Sequence, residues 1–233
     1  MAEKNRVSLK NSFLRGSIPR EEDFHNLIDS TTNKLDDGIK KEPGKAIGIT
    51  ADGANEDILD FFRNIEDIEP KWKLSLKASN GKEGLNLTSS DGESRLFVQQ
   101  TGNIGIGTDD PRNKLHVDGF VGMTGRIGYF SHGEVPADGN WHNIVEDLNH
   151  YNAFEVVMVA GRKGAHAITH AIAVSAYGKS KPKIKKTQGY FGRVRNKIDL
   201  RWTGSYFDYQ LQIRTRRNLG DGVFINFFVT KLI

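Results

Sequence analysis

The stretch Phe207-Asp208-Tyr209-Gln210-Leu211-Gln212-Ile213-Arg214-Thr215-Arg216 alternates without a break. Phe207, Tyr209, Leu211, Ile213 and Thr215 fall on one side; Asp208, Gln210, Gln212, Arg214 and Arg216 fall on the other. Successive side chains of an extended strand point to opposite faces, so this is the pattern of a half-buried antiparallel strand. Just upstream, Ile198, Leu200 and Trp202 oppose Lys197, Asp199 and Arg201 in the same way. Phe154–Ala160 and Val223–Ile233 are apolar on both sides, which fits strands covered twice, at the centre of a sandwich or in an oligomer interface. Several strands from Gly125 onward with no helix between them predict an antiparallel β-sandwich of jelly-roll type over residues 125–233.

Moving toward the N-terminus, a period of two persists but the strands shorten. Trp72-Lys73-Leu74-Ser75-Leu76-Lys77, Leu85-Asn86-Leu87-Thr88, Leu96-Phe97-Val98 and Leu115-His116-Val117 alternate, separated by Asn80-Gly81, Ser90-Asp91-Gly92 and Thr101-Gly102-Asn103. Those separators accept positive φ and mark turns. Strands so short, with so little apolar area, are marginal in one chain and make sense if three chains share a core. Residues 71–124 are therefore expected to form a short intertwined β shaft.

Before Trp72 the period changes to that of a helix. Phe24, Leu27, Ile28, Thr31 and Leu35 form a stripe within Pro19–Ile39, with Glu21, Glu22 and Asp23 suited to the positive end of the helix dipole. A second helix is expected over Gly53–Ile65, with Ile58, Leu59, Phe62 and Ile65 on one face. Residues 1–70 thus read as a helical attachment region, with Phe24, Leu27, Ile28 and Leu35 as its oligomerisation face. A stripe this short needs a packing partner. A bundle of identical chains and a helix lying on its own domain both satisfy it.

Composition narrows the chemistry. The 233 residues contain no cysteine, which removes disulfides and thiolate metal sites. The opening MAEKNRVSLK lacks the apolar core of a signal peptide and no run of 18 apolar residues occurs, so synthesis and folding in the cytoplasm without a transmembrane segment are expected. Charge is divided: residues 151–233 hold fifteen Lys/Arg against four acids, +11, and residues 1–150 hold eighteen against twenty-five, −7. A basic head fits an acidic partner, whether anionic glycan, membrane surface or nucleic acid. The plainer alternative is a solvated basic surface without a ligand.

Gly84-Leu85-Asn86-Leu87, Ser94-Arg95-Leu96-Phe97-Val98, Gly102-Asn103-Ile104-Gly105-Ile106-Gly107-Thr108, Pro111 and Lys114-Leu115-His116-Val117-Asp118-Gly119 follow one another in register. Together they resemble a repeat common in phage tail fibres, and in adhesins and fibre-like proteins of phage-derived contractile injection systems. Gly16-Ser17-Ile18-Pro19 with Phe24 and Leu27-Ile28-Asp29-Ser30 is similar to the N-terminus of many tail-associated proteins. The resemblance implies a homotrimer on an extracellular particle, a virion or injection-system tail, bound to a baseplate or tail protein through its N-terminus.

The individual motifs are weighed within that frame. Gly102-x-x-Gly105-x-Gly107 lacks the following helix that a phosphate loop needs, and reads as a fibre turn. His166 and His170, four apart on a strand, stand roughly 13 Å from each other, too far to share a metal within one chain. An axial ion between subunits is the remaining way to join them. No paired carboxylates or nucleophile–base arrangement stands out, so no enzyme, catalytic residue, metal or cofactor is expected. The candidate ligand-binding residues are Lys179, Lys181, Tyr190, Arg193, Arg195, Tyr206, Arg216 and Arg217, where cations interleave with aromatics. Such surfaces pair with sulfate, phosphate or carboxylate while stacking on rings. Cell-surface glycan or lipopolysaccharide is the expected partner. The absence of a recognised nucleic-acid motif and the external position argue against nucleic acid. A purely structural fibre or connector is the alternative.

Overall fold

The computed structural model describes residues 4–33, 36–64, 66–178 and 180–233, and the chain is mainly β. It divides into two compact units, Met1–Gly122 and Met123–Ile233.

The first unit opens with α1 (Arg6–Ser12) and α2 (Glu21–Asp29). Asn5 caps α1 by accepting from the backbone N–H groups of Val7 and Ser8 at 3.1 and 2.9 Å. The Asp23 carboxylate of α2 reaches back 2.9 Å to the N–H of Arg20, and that backbone bond holds its pKa below the ordinary value. The rings of Phe13 and Phe24 meet edge to face at 5.6 Å, yet neither helix buries a residue. The helix expected over Pro19–Ile39 stops at Asp29. Ser30 and Thr31 turn their hydroxyls onto the carbonyls of Asn26 and Ile28, diverting the backbone from further helical bonding.

Among the described residues the helix expected over Gly53–Ile65 is absent: Ile58 and Leu59 lie in a strand, Phe62 just past its end, and Ile65 lies outside the described residues. After β1 (Ile39–Lys41) and β2 (Ile47–Ile49), which pair as a hairpin, comes β3 (Asp57–Phe61). Glu56 adopts a positive φ of 54° in the turn before it, and Leu59 and Phe61 pair across to Leu74 and Trp72. Cross-strand pairing of large apolar side chains overrides the local helical spacing. The region 1–70 is consequently part helix and part sheet.

Strand β3 begins a six-stranded sheet in chain order: β4 (Trp72–Lys77), β5 (Glu83–Ser89), β6 (Ser94–Gln99), β7 (Ile104–Ile106) and β8 (Leu115–Val117). All neighbours are antiparallel except β7 and β8. The two faces differ sharply. On one, Ser75, Asn86, Phe97 and Gly105 register in a buried row, and Phe97 is the one large apolar side chain of this unit that is fully buried among the described residues. A Cβ on Gly105 would lie 2.1 Å from the Thr108 carbonyl oxygen, so glycine is required there. On the other face Leu59, Leu74, Leu87, Leu96, Ile106 and Val117 form a continuous apolar row across all six strands. Beside it Leu85, Val98, Ile104 and Leu115 form a second row. Most of these side chains are exposed, so the face lacks a cover within its own unit.

The second unit contains β9 (Ser131–Pro136), β10 (His142–Leu148), β11 (Tyr151–Arg162), β12 (Ala165–Ala176), β13 (Lys183–Phe191), β14 (Ile198–Gly204), β15 (Tyr209–Thr215) and β16 (Phe224–Lys231). They form a five-stranded antiparallel sheet, β13-β12-β11-β16-β9, and a three-stranded one, β10-β15-β14. A single apolar core includes residues from both sheets: Phe154, Val156, Met158, Ile225 and Val229 from the first, Ile144, Ile198, Leu211 and Ile213 from the second. Phe154 stacks against Phe130 and Trp202 with ring centroids 5.3 and 6.1 Å apart, and Trp202 lies parallel to Tyr209 at 5.3 Å. Ala165, Ala167, Ala171 and Ala173 give β12 a small-residue inner face.

The strands β11 and β16 are central, but within the chain they are covered on one side. Val157, Val159, Ile168, Phe224 and Phe228 lie on the outer face, with Ile168 at 53% exposure. His170 on that face meets Glu155 at 3.0 Å, and Glu155 also pairs with Arg126. His166 instead tilts against Phe191 with centroids 6.3 Å apart.

The turn between β9 and β10 is built on Asp138. Its carboxylate lies 2.8 Å from His142 Nε2 and accepts from the Asn140 backbone at 2.9 Å and side chain at 3.0 Å. Burial opposes ionisation, but these bonds outweigh it and hold the Asp138 pKa at about 2, against an ordinary 3.8. A carboxyl lowered on folding stabilises the protein above its unfolded pKa and loses that contribution as pH falls through its folded one. Asp138→Asn should therefore flatten the decline in stability between about pH 4 and pH 2, measured as the urea midpoint across that range. An unchanged acid limb would show that the turn does not depend on the charge.

Candidate functional site

The cationic surface of the second unit is assembled from β13, the 3-10 turn Val194–Asn196, and the ends of β14 and β15. Asn196 organises the turn. Its side chain is 1% exposed, donates to the Phe191 carbonyl at 2.7 Å and accepts from Arg217 Nε at 2.8 Å. Gly192, at a φ of 85°, lets the chain pass so close that a Cβ would lie 2.8 Å from Asn196 Nδ2. The clamped turn leaves Arg193 and Arg195 exposed at its tip.

Asp199 is the second organising group. Arg216 donates to it from Nε at 3.0 Å and from a terminal nitrogen at 3.1 Å, and Lys186 reaches it at 2.7 Å. Burial raises its pKa, yet the bonds from Arg216 and Lys186 outweigh that and hold it below the ordinary value. Arg216 and Arg217, expected to be free for a ligand, are thus engaged in holding the loops in place. Sequence alternation shows which way a side chain points but not which neighbour it meets.

Of the other expected residues, Lys181 is exposed with a positive φ of 51°, and Tyr190 lies under the Lys197 ammonium at 4.7 Å. Tyr206 is exposed in the β14–β15 turn, where its carbonyl accepts from the Gly178 N–H of the β12–β13 loop at 3.3 Å. Lys179 lies outside the described residues. At the N-terminus, Phe24, Leu27 and Ile28 share the exposed side of α2, with Ile28 at 63%, while Leu35 also lies outside the described residues.

A cluster that alternation does not reveal stands on the outer face of the three-stranded sheet. His142 pairs with Ile213, which brings Trp141 level with Arg214, and Arg214 in turn registers with Asp199. The next row is Asn143, Gln212 and Arg201. The guanidinium carbons of Arg201 and Arg214 lie 4.3 and 4.4 Å from the centre of the Trp141 ring. Arg201 Nε donates to Gln212 at 2.8 Å, and Gln212 donates to Asn143 at 2.6 Å. Trp141 and Arg214 are some seventy residues apart, so only strand pairing could reveal this contact.

No protein-family model matches the chain, and the search of curated proteins finds no match. No helix among the described residues is long and apolar enough to cross a membrane.

Proposed function

We propose that the chain is a homotrimeric tail-fibre-like protein of a phage tail or phage-derived contractile injection particle. Its N-terminal region attaches to a baseplate or tail protein, and its head, a jelly-roll-like β-sandwich, engages an anionic cell-surface ligand such as a glycan or lipopolysaccharide. The observation that carries this reading is the six-stranded sheet of the first unit. Its apolar face runs from Leu59 to Val117 without a cover, and a sheet with one apolar face needs a second layer. Copies of the same shaft around an axis supply that layer. The fibre-like order of the strands and the +11 charge of residues 151–233 agree with it.

Binding is read as electrostatic and as drawing on the exposed cations Lys181, Arg193 and Arg195. Changing all three to Gln should leave the unfolding midpoint unchanged, because none has a side-chain partner among the described residues. Attachment to target cells should fall at least tenfold, and attachment by the unaltered protein should weaken as salt rises, since exposed charges are screened over about 10 Å at 0.1 M. Attachment that survives both changes makes these loops a solvated surface.

A second reading, a connector without a receptor, is favoured by the outer face of the five-stranded sheet. Val157, Val159, Ile168 and Phe228 there suit contact with another particle protein better than with a charged glycan. Failure to bind any glycan, together with burial of that face in the assembled particle, would establish it.

A further inference from the structure

We propose that the outer face of the three-stranded sheet, around Trp141, Arg201 and Arg214, is a binding site for an acidic sugar, a pyranose ring bearing a carboxylate. The inference rests on the receptor-binding reading of the head and names the ligand class it takes.

Two guanidinium groups converge on one indole, at 4.3 and 4.4 Å. The ring's negative face favours each of them, but two like charges on neighbouring strands repel. Three cations of this unit have carboxylates among the described residues, Arg216 and Lys186 from Asp199 and Arg126 from Glu155, while the exposed Lys181, Arg193 and Arg195 have none. Arg201 and Arg214 have no carboxylate partner among the described residues. Arg214 is half-buried, and its Nε is closed to solvent with no acceptor. A charged donor held this way is costly, and because Nε itself is closed to a ligand, an arriving oxyanion offsets the charge through the terminal nitrogens of the guanidinium. Positive charge has accumulated here beyond what the fold neutralises.

The surroundings specify more than an anion. The Gln212 amide fixes Arg201 through its Nε, leaving the two terminal nitrogens without an acceptor among the described residues. That is the fork that grips a carboxylate through two parallel bonds. The side chains of Asn143 and Gln212 stand in the same row as Arg201 and are bonded in series, Arg201 to Gln212 to Asn143 to the Glu146 carboxylate, so they would meet ring hydroxyls through their remaining N–H and lone-pair positions. Trp141 keeps some accessible surface beside the two guanidiniums that lie over its ring, and the C–H groups of a sugar would meet it there. Carboxylate, hydroxyls and an apolar ring face together describe a uronic acid or a related acidic sugar. A bare phosphate would use the arginines alone.

The test is isothermal titration of the full chain with a tetrasaccharide of uronic acid, its carboxyl-reduced neutral counterpart, a sulfated tetrasaccharide, and a single-stranded oligonucleotide of equal charge. The uronic tetrasaccharide should bind, and the neutral one at least tenfold more weakly. Arg201→Gln should lower uronate affinity about tenfold. Arg201→Lys, which keeps the charge and loses the fork, should recover only part of it, and Trp141→Ala should also weaken binding. Arg201 is exposed, so its variants carry the test even where Arg214→Gln disturbs folding. Equal binding of the sulfated sugar or the oligonucleotide overturns the carboxylate assignment. Uronate binding that survives Arg201→Gln but is lost in the Lys181, Arg193 and Arg195 variant moves the site to the loops. Uronate binding by neither form, with cell attachment intact, overturns the inference and leaves the receptor-binding reading standing.

Discussion

Phe154→Ala should lower the unfolding free energy of residues 123–233 by about 3–5 kcal/mol, the range for removing a large aromatic from a closed core. Phe154 is fully buried on β11, at the contact between the two sheets, and stacks on both Phe130 and Trp202. Removing its ring empties space beside Phe130 and Trp202, and backbone pairing on both sides of β11 keeps the strand from collapsing inward. Domains of this size have only about 5–15 kcal/mol in all, so the variant should sit near its threshold. Urea unfolding followed by tryptophan fluorescence gives the measurement. Phe154→Leu, which keeps more of the volume, should cost clearly less. A loss under about 1 kcal/mol for the alanine variant would mean that the two sheets do not depend on this contact.

The second large effect is expected in the shaft. At micromolar concentration the full chain should sediment as a trimer, and Leu96→Asp should reduce it to monomers. Leu96 sits on β6 in the middle of the apolar row, between Leu87 and Ile106. In a shared core, each of three copies would carry an unpaired carboxylate into the interior, a burial that costs several kcal/mol per charge. The second unit should remain folded, because its core is drawn from its own residues. A wild-type protein that sediments as a monomer would remove the basis of the fibre reading. Ile28→Asp on α2 should have a smaller effect, confined to association at the N-terminus.

The parts of this molecule that were legible in advance are those where a single period decides. Alternation in Phe207–Arg216 and Ile198–Trp202 corresponds to β15 and β14, except that Phe207 lies before β15 and is exposed. The shaft strands around Leu74, Leu87 and Leu96 were likewise visible. Failures came where spacing was ambiguous over a few residues. Ile58, Leu59 and Phe62 fit a helical face, but Leu74 and Trp72 offered Leu59 and Phe61 better partners across a sheet. The site was less legible than the fold. Charge counting found the basic half, yet could not tell Arg216, consumed by Asp199, from Arg193, which is exposed. It could not place Trp141 beside Arg201 and Arg214, because that meeting depends on β10 joining β15.

The five-stranded sheet ends on two open rims, and each is defended differently. Along β13 a lysine recurs at Lys183 and Lys185, while β9 closes with Pro136, which has no backbone N–H to offer. An unpaired strand rim is a template on which another molecule can extend the sheet, and repeated lysines or a proline are what discourage it. Part of the basic charge on this unit therefore serves solubility during crowding. A preparation in which Lys183 and Lys185 are replaced by valine would be expected to cloud and form cross-β aggregates on concentration, while each molecule, taken singly, keeps its fold.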